Sequence, residues 1–127
     1  MKKRKRVATE APWASTVGYS RAIRAGRRIW VSGTAAVGDD GRIVDPDNAY
    51  VQAVRCFEII TGALRELGAG PEHVVRTRMY LRDAALWRDV GRAHGEVFAS
   101  ALPATTMIVT GFIDPDMLVE IEAEAVL

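Results

Sequence analysis

A long amphipathic stretch between Asp45 and Pro71 restricts the fold of this chain more than any other feature. Its apolar residues recur at steps of three and four, which places them on one side of an α-helix about six turns long. Asp45 is the expected N-cap, Pro46 the expected first helical residue, and Gly68 with Gly70 ends the helix. The apolar stripe consists of Tyr50, Ala53, Val54, Phe57, Ile60, Ala63, Leu64 and Leu67. Another part of the chain must supply a surface that covers it.

The C-terminal segment "LVEIEAEAVL" has the period of a β-strand, because its apolar and acidic residues alternate. Neighbouring residues of a strand point to opposite faces. One face therefore carries Val119, Ile121, Ala123, Ala125 and Leu127, and the other carries Glu120, Glu122 and Glu124. Two interpretations stay open: the three carboxylates form a solvated face, or at least one of them faces a cleft and takes part in chemistry.

Shorter patterns predict the remaining elements. Extended runs predict strands at residues 19–23, 28–37, 73–83 and 103–113, with a turn at Ala25 and Gly26. Alternation in the third of these strands places Val75, Thr77, Met79 and Leu81 on one face. Asp83 is the expected cap of a second helix, with an inner stripe of Leu86, Val90, Ala93 or His94, and Val97. Both helices can cover one face of a mixed sheet, which predicts an α+β fold whose open face favours self-association.

Length and composition favour one globular domain spanning residues 1–127. Hydrophobic residues make up 49% of the chain and charged residues 26%, which is typical of a folded protein rather than a disordered one. The single cysteine, Cys56, cannot form an internal disulfide and lies beside the apolar stripe, where a buried or half-buried thiol is expected. No stretch is apolar enough for a membrane span, so a cytoplasmic location is expected.

The basic residues are unevenly distributed. The first six residues, "MKKRKR", contain five of the 17 Lys and Arg, which leaves 12 basic against 16 acidic residues, or −4, in the remainder. A nucleic-acid-binding protein would be expected to spread basic residues over its fold, so nucleic acid is not an expected partner. Residues 1–6 are expected to form a frayed, solvated tail.

Motifs for bound cofactors are missing from the sequence. There is no phosphate loop, no HExxH and no pair of CxxC motifs, and His73 and His94 lie 21 residues apart without a ligand at metal-binding spacing. A serine-hydrolase elbow is also missing. We therefore expect neither a metal nor a cofactor.

Several segments, taken together, resemble the RidA/YjgF family of imine and enamine deaminases, also called L-PSP endoribonuclease-like proteins. The matching segments are "VGYSRAI", "IWVSGTAAVGDDGRIV", "LRELGAG", "VVRTRMYLRDAALWRDV", "EVFASALPAT" and "VEIEAEAV". The resemblance implies the α+β, chorismate-mutase-like YjgF fold, a six-stranded mixed sheet with two helices on one face. It also implies a homotrimer with a central barrel and with active sites in the clefts between subunits.

The same resemblance assigns roles to individual residues. It places Tyr19 at the family's cleft tyrosine, Ser32 at a small hydroxyl residue near the ligand, and Glu120 at the carboxylate that works with water. The family's arginine after Pro-Ala, which holds the substrate carboxylate, is replaced here by Thr105. A threonine offers one neutral hydroxyl instead of a charged fork, which weakens carboxylate binding by about 1.5 to 3 kcal/mol.

Other side chains are candidates for binding the substrate. Thr105 and Thr106 offer hydroxyls and backbone amides, and Arg92 could supply the missing cation, although a solvated helix position explains it equally well. Arg76 and Arg78 share a strand face, where they either bind an anion or form cross-strand ion pairs with the glutamates.

Two functional hypotheses follow. The first is a cofactor-independent hydrolase of a small imine or enamine, with Glu120 and Tyr19 as catalytic residues and with a non-standard substrate because of Thr105. The alternative is a trimer whose clefts bind a small ligand without turnover. Ribonuclease activity would need a catalytic histidine pair or a basic groove, and the sequence predicts neither.

Overall fold

The computed structural model describes residues 3–127 of the chain. The strands β1 to β6 are Arg4–Val7, Ala22–Ala25, Arg28–Ala35, Val74–Leu81, Ala104–Val109 and Val119–Val126. The α-helices α1 to α3 are Ala14–Val17, Ala49–Glu66 and Trp87–Phe98, and short 3-10 helices cover Pro71–His73 and Ala84–Leu86.

All six strands form one sheet in the order β1-β2-β3-β6-β4-β5. The pair β4 and β5, which α3 connects, is parallel, and every other pair is antiparallel. Helices α2 and α3 pack side by side on one face of the sheet, where their apolar residues meet Ile29, Val31, Met79 and Ile121. The predicted α+β fold, with a six-stranded mixed sheet and two helices on one face, is confirmed.

The N-terminal segment differs from the prediction of a frayed tail over residues 1–6. Arg4–Val7 is the edge strand β1, in which Lys5 lies opposite Arg24 and Val7 lies opposite Ala22. Backbone hydrogen bonds to β2 order this segment while its basic side chains stay exposed, so its composition gave no sign of the strand. The prediction is therefore wrong for Arg4–Arg6, and residues 1 and 2 lie outside the described part of the chain.

Helix α2 begins three residues later than predicted and is 18 residues, or five turns, long. Its N-cap is Asn48, whose side-chain oxygen accepts a hydrogen bond from the Val51 N–H at 3.0 Å. Asp45 has a φ of 36°, a left-handed conformation, whereas an N-cap needs an extended backbone. Its carbonyl instead accepts from the Asn48 N–H, which makes a turn before the helix.

Inside α2, Gln52 is buried among apolar neighbours, and the sequence pattern did not single it out. Its amide nitrogen donates to the carbonyls of Asp45 and Asp116, and its amide oxygen accepts from the Leu118 N–H. The side chain therefore fixes the start of β6 relative to α2. Cys56 is fully buried, as predicted, and burial raises the pKa of its thiol.

Strand β4 contains a register shift that changes one predicted face. Thr77, Met79 and Leu81 are buried as expected, but Val75 is 47% exposed and Val74 only 3% exposed. The shift occurs between Val74 and Arg76 in the pairing with β6. An extra residue in one strand moves the side chains that precede it to the opposite faces of the sheet. Strict alternation along β4 therefore placed Val75 on the wrong face.

The second helix also begins later than predicted. Asp83 acts as a cap, since its carboxylate accepts from the Ala85 N–H at 2.8 Å, but it caps the 3-10 helix that precedes α3. Helix α3 itself begins at Trp87 and buries Val90, Ala93 and Phe98.

Candidate functional site

The three glutamates of β6 lie on the sheet face opposite the helices. Val119, Ile121, Ala123 and Ala125 alternate with them and are buried beneath α2 and α3. Strand β6 is flanked on both sides, by β3 and by β4, so the glutamates lie near the middle of the sheet rather than at an edge. The predicted alternation is confirmed.

Glu122 and Glu124 form cross-strand contacts. The Glu122 carboxylate accepts a hydrogen bond from the Tyr80 hydroxyl at 3.0 Å and lies 3.3 Å from the Arg78 guanidinium. Glu124 lies 3.9 Å from the same guanidinium. Anion binding and cross-strand ion pairing were both left open for Arg78, and the structure supports the ion pair. Arg76 forms no such pair among residues 3–127 and instead donates to the Thr106 hydroxyl at 2.8 Å.

Glu120 has different surroundings. It lies opposite Ala35 on β3 and Tyr80 on β4, and no ion pair with it is present among residues 3–127. A Cβ atom on Gly33 would come within 3.1 Å of its carboxyl group. The β3–β6 pairing is irregular between Val31 and Thr34, so a glycine at a strand irregularity leaves room for this carboxyl group.

The positive charge of Arg21 acts on Glu120, although the sequence pattern did not single out this arginine. The residue is only 7% exposed, its guanidinium donates to the Gly33 carbonyl at 2.6 Å, and it lies 5.7 Å from the centre of the Tyr19 ring. The Nε atom of Arg21 has no hydrogen-bond partner in the described part of the chain. An arginine directly before β2, followed by a glycine inside β3, was the available signal.

Tyr19 and Ser32 lie at the same end of the sheet. The Tyr19 hydroxyl has no hydrogen-bond partner of standard geometry among residues 3–127, and the chain's own atoms cover its oxygen. The Ser32 hydroxyl donates to the Ser20 carbonyl at 2.7 Å, which directs it toward the backbone before β2. Of the two hydroxyls, only that of Tyr19 lacks a protein partner of standard geometry in the described chain.

The electrostatics of this cluster follow from burial. Desolvation raises the pKa of the Glu120 carboxyl above its ordinary value, the Arg21 guanidinium opposes this change, and Glu122 adds to it through repulsion. Burial also lowers the pKa of Arg21. A carboxyl with a raised pKa carries its proton at higher pH than an exposed one, which suits proton transfer.

A small cavity of about 100 Å³ adjoins Glu120. It is lined by Trp13, Gly111, Phe112, Ile113 and Met117 as well as Glu120. Its walls are mostly apolar, with one titratable group among them, so the cavity can hold a few water molecules or part of a small metabolite beside the carboxyl.

Thr105 belongs to a different part of the molecule. Its hydroxyl bonds that of Thr77 at 2.7 Å, on the sheet face that the helices cover, whereas Glu120 lies on the other face. Glu120 is opposite Tyr80 and Tyr80 is opposite Ile108, so Thr105 lies two strands across and three residues along, about 10 Å in each direction. One chain therefore does not bring Thr105 and Glu120 to the same small ligand.

Arg92 lies in the helical layer, away from the Glu120 cluster of its own chain. Its guanidinium is 3.7 Å from the centre of the Tyr50 ring, and the Tyr50 hydroxyl donates to Glu96 at 2.6 Å. The ring therefore already contacts this cation. A role for Arg92 in the site of a second copy stays a prediction.

The described residues contain neither a metal-binding cluster nor a helix suited to a membrane. Among residues 3–127, no group of three or more His, Cys, Asp or Glu side chains is placed to hold a metal ion. In the same part of the chain, no helix combines the length and the apolar character that crossing a membrane requires.

Comparisons with known proteins agree on one family. The family model described as Endoribonuclease L-PSP matches residues 9–127. An uncharacterized protein of Streptomyces coelicolor is 40% identical over 122 residues, which are 95% of this chain and 90% of that protein. The 3-aminoacrylate deaminase RutC of Acinetobacter baylyi is 27% identical over 107 residues, 84% of this chain and 85% of that protein.

A solved structure extends this similarity to the fold. The crystal structure of Rv2704 from Mycobacterium tuberculosis, described as a member of the YjgF/YER057c/UK114 family, matches with a TM-score of 0.87 at 38% identity. The match covers 98% of this chain and 100% of that chain. The arrangement of sheet and helices is therefore shared along nearly the whole length of both proteins.

Proposed function

Since the chain belongs to the RidA/YjgF family, we propose that it hydrolyses a small, reactive imine or enamine without a cofactor. The observation that carries this proposal is the Glu120 carboxyl, which is partly buried, has a raised pKa, lacks an ion pair in the described chain and adjoins a cavity. The deaminase activity in the name of the Acinetobacter baylyi relative supports the same reaction class.

Imine hydrolysis requires a water molecule, a proton donor and a proton acceptor. In the proposed reaction the protonated Glu120 carboxyl donates its proton to the imine nitrogen, and its carboxylate then accepts a proton from the water that attacks the imine carbon. The resulting carbinolamine loses ammonia and leaves a carbonyl compound. One imine and one water are consumed for each carbonyl compound and ammonia released.

Tyr19 and Arg21 assist at this end of the sheet. The Tyr19 hydroxyl, which has no partner of standard geometry in the described chain, donates a hydrogen bond to the substrate, while Arg21 limits how far the pKa of Glu120 rises. Ser32 holds the backbone that leads into β2 through its bond to the Ser20 carbonyl. These roles assign positioning to the neighbours and proton transfer to Glu120.

We also propose that the site is completed by a second copy in a homotrimer. Thr105 and Glu120 lie on opposite faces of one sheet, so a ligand that meets both needs Thr105 from another chain. The open sheet face includes Trp30, which is 40% exposed, and the apolar Val126 at the end of β6, which suits burial against other copies.

The test is ammonia release from 2-iminoacids that an amino-acid oxidase or a serine dehydratase generates in the presence of the protein. Glu120→Gln should lower the acceleration by about 10² to 10⁴, the usual contribution of acid–base catalysis. Glu122→Gln is the matched control, because this neighbour on the same strand face is engaged by Tyr80 and Arg78. It should keep most of the activity.

Two results would contradict the proposal. Full activity of Glu120→Gln would exclude the proton-transfer role of this residue. If the wild-type protein releases no ammonia from a broad series of imines, and wild type and Glu120→Gln bind a small carbonyl compound equally well, the trimer is a binding protein without turnover.

A further inference from the structure

A chain of three polar side chains runs from the helical layer to the exposed edge of the sheet. The hydroxyl of Thr77, a fully buried residue of β4, lies 2.8 Å from Nε2 of His94 and 2.7 Å from the hydroxyl of Thr105. Thr105 lies on the edge strand β5 and is exposed. The orientation of a surface hydroxyl is therefore linked to a ring in the interior.

We infer that His94 and Thr77 fix the hydrogen-bonding direction of Thr105, and that the substrate group contacting Thr105 is an uncharged carbonyl, as in a carboxamide. This inference rests on the proposed function, because it concerns the ligand of that site. It makes Thr77 and His94 positioning residues, which act through Thr105.

The direction of the hydrogen bonds among His94, Thr77 and Thr105 is limited by the number of hydrogens that these side chains can donate. Each hydroxyl donates one hydrogen bond. When Thr77 donates to Thr105, Nε2 of His94 must donate to Thr77, and the hydrogen of Thr105 remains free for a ligand. When His94 accepts instead, Thr77 donates to the ring and Thr105 donates to Thr77. Thr105 then offers a ligand only its lone pairs.

In the structure the Thr77 hydroxyl donates to the Thr105 hydroxyl, so the hydrogen of Thr105 stays free to donate to a carbonyl oxygen. His94 then has its proton on Nε2 and leaves Nδ1 as an acceptor, a tautomer that needs no charge on the ring. The ring packs against Phe57 and Phe98, with centroids 5.8 and 4.7 Å apart, and no acidic side chain forms an ion pair with it among residues 3–127. The described chain of bonds thus ends in a neutral donor.

A neutral donor discriminates between ligands by charge. A carboxylate that loses its water at this position gains one hydrogen bond and no opposite charge, which does not offset its desolvation. A carboxamide or another neutral carbonyl loses less on leaving water and gains the same bond. Arg76, the nearby cation of β4, bonds Thr106 on the opposite sheet face and does not supply the missing charge.

The experiment compares pyruvamide with pyruvate, which have the same shape and differ by one charge. Their dissociation constants are measured by NMR titration of the complete protein, following the backbone signals of residues 105 and 120. The wild type should bind pyruvamide more tightly than pyruvate. Thr105→Val should reduce pyruvamide affinity by about two- to tenfold, the range for one neutral hydrogen bond, and Thr105→Arg should reverse the preference.

Thr77, which lies between His94 and Thr105, gives the decisive test of whether Thr105 is oriented from the interior. Thr77→Val should lower the ratio of pyruvamide to pyruvate affinity although Thr105 is unchanged, and Thr77→Ser, which keeps the hydroxyl, should restore it. The control is Thr61→Val, since the Thr61 hydroxyl bonds only carbonyls of its own helix in the described structure. It should leave the ratio unchanged.

The failures of the two proposals differ. A wild type that prefers pyruvate, or a Thr77→Val protein with an unchanged ratio, would overturn the inference about Thr105 and leave the proposed hydrolase intact. If neither compound shifts the signals of residues 105 and 120, the site itself is wrong, and the proposed function fails with it.

Discussion

The two ends of the glutamate face on β6 have different surroundings. Toward the C-terminus, Glu122 and Glu124 meet the Arg78 guanidinium, and Glu122 also meets the Tyr80 hydroxyl. At the start of the strand, Glu120 lies beside the Gly33 backbone and within the field of the buried Arg21. The first group resembles an ordinary cross-strand ion-pair network, and the second has the burial and the altered pKa of a candidate catalytic site.

The difference originates in the neighbouring strand. Where β3 pairs regularly with β6, Trp30 lies opposite Glu124 on the same face. Where the pairing is irregular, Gly33 has no side chain and its carbonyl accepts from Arg21. A local irregularity therefore gives one glutamate of three a half-buried position beside a buried arginine and a raised pKa, which shows how a repetitive strand can carry one reactive group.

Among variants that test the difference between Glu120 and the other two glutamates of β6, Arg21→Met is expected to have the largest effect. The variant removes the 2.6 Å bond to the Gly33 carbonyl, and a buried acceptor without its partner costs about 1 to 3 kcal/mol of unfolding free energy. It also removes the guanidinium that lowers the pKa of Glu120, so that pKa should rise further. Urea denaturation measures the first effect, and ¹³C NMR titration of the carboxyl measures the second.

Arg42→Met is the control for this variant, because the Arg42 side chain is exposed. Its unfolding free energy should stay within about 0.5 kcal/mol of the wild type. An Arg21→Met protein with the stability and the Glu120 pKa of the wild type would show that the two ends of β6 do not differ in the way described.

The second prediction uses the titration of Glu120. Its pKa is raised above the ordinary value of 4.5, so the native state binds the proton more tightly than the unfolded state. The stabilisation from this group is therefore full below pH 4.5 and is lost as the pH rises through the native pKa. Glutamine does not titrate, so Glu120→Gln should gain stability relative to the wild type as the pH rises.

Urea denaturation of both proteins at about pH 4 and about pH 8 measures this difference, because linkage turns a pKa change into a change of unfolding free energy. The difference in free energy between variant and wild type should shift in favour of the variant at the higher pH. A difference that is the same at both pH values would mean that folding leaves the pKa of Glu120 unchanged.

The smallest effect is expected from Arg78→Met, at the other end of the face. Its ion pair with Glu122 joins two partly exposed side chains, and such pairs contribute about 0.2 to 1 kcal/mol. The loss should shrink at about 1 M salt, where the screening length falls to about 3 Å. A loss above about 2 kcal/mol, independent of salt, would mean that this end is as strongly coupled as the Glu120 end.

Much of the fold was predictable from local patterns. The stripe along α2, the alternation of β6, the strand order along the chain and the buried Cys56 all follow from residues close together in sequence. Predictions failed where distant segments decide the outcome. Strand β1 exists because β2 offers it an edge, and Val75 is exposed because β4 shifts register against β6.

Some residues of the candidate site could be identified from the sequence, and others only from the folded structure. The alternation of β6 placed all three glutamates on one face, and the resemblance to the RidA/YjgF family drew attention to Glu120, Tyr19 and Thr105. Neither source indicated Arg21 or Thr77, since their importance comes from contacts with Gly33, His94 and Thr105 that only folding creates.

The sequence by itself determined the two long helices, the strands other than β1, the buried stripe and the row of carboxylates, because each depends on the period of neighbouring side chains. Only the tertiary structure decided which carboxyl has a raised pKa and which are paired with Arg78, because desolvation and charge depend on residues from other strands. It also placed Thr105 and Glu120 on opposite faces of the sheet. That separation depends on strand register and sheet order, which the local pattern of side chains does not specify.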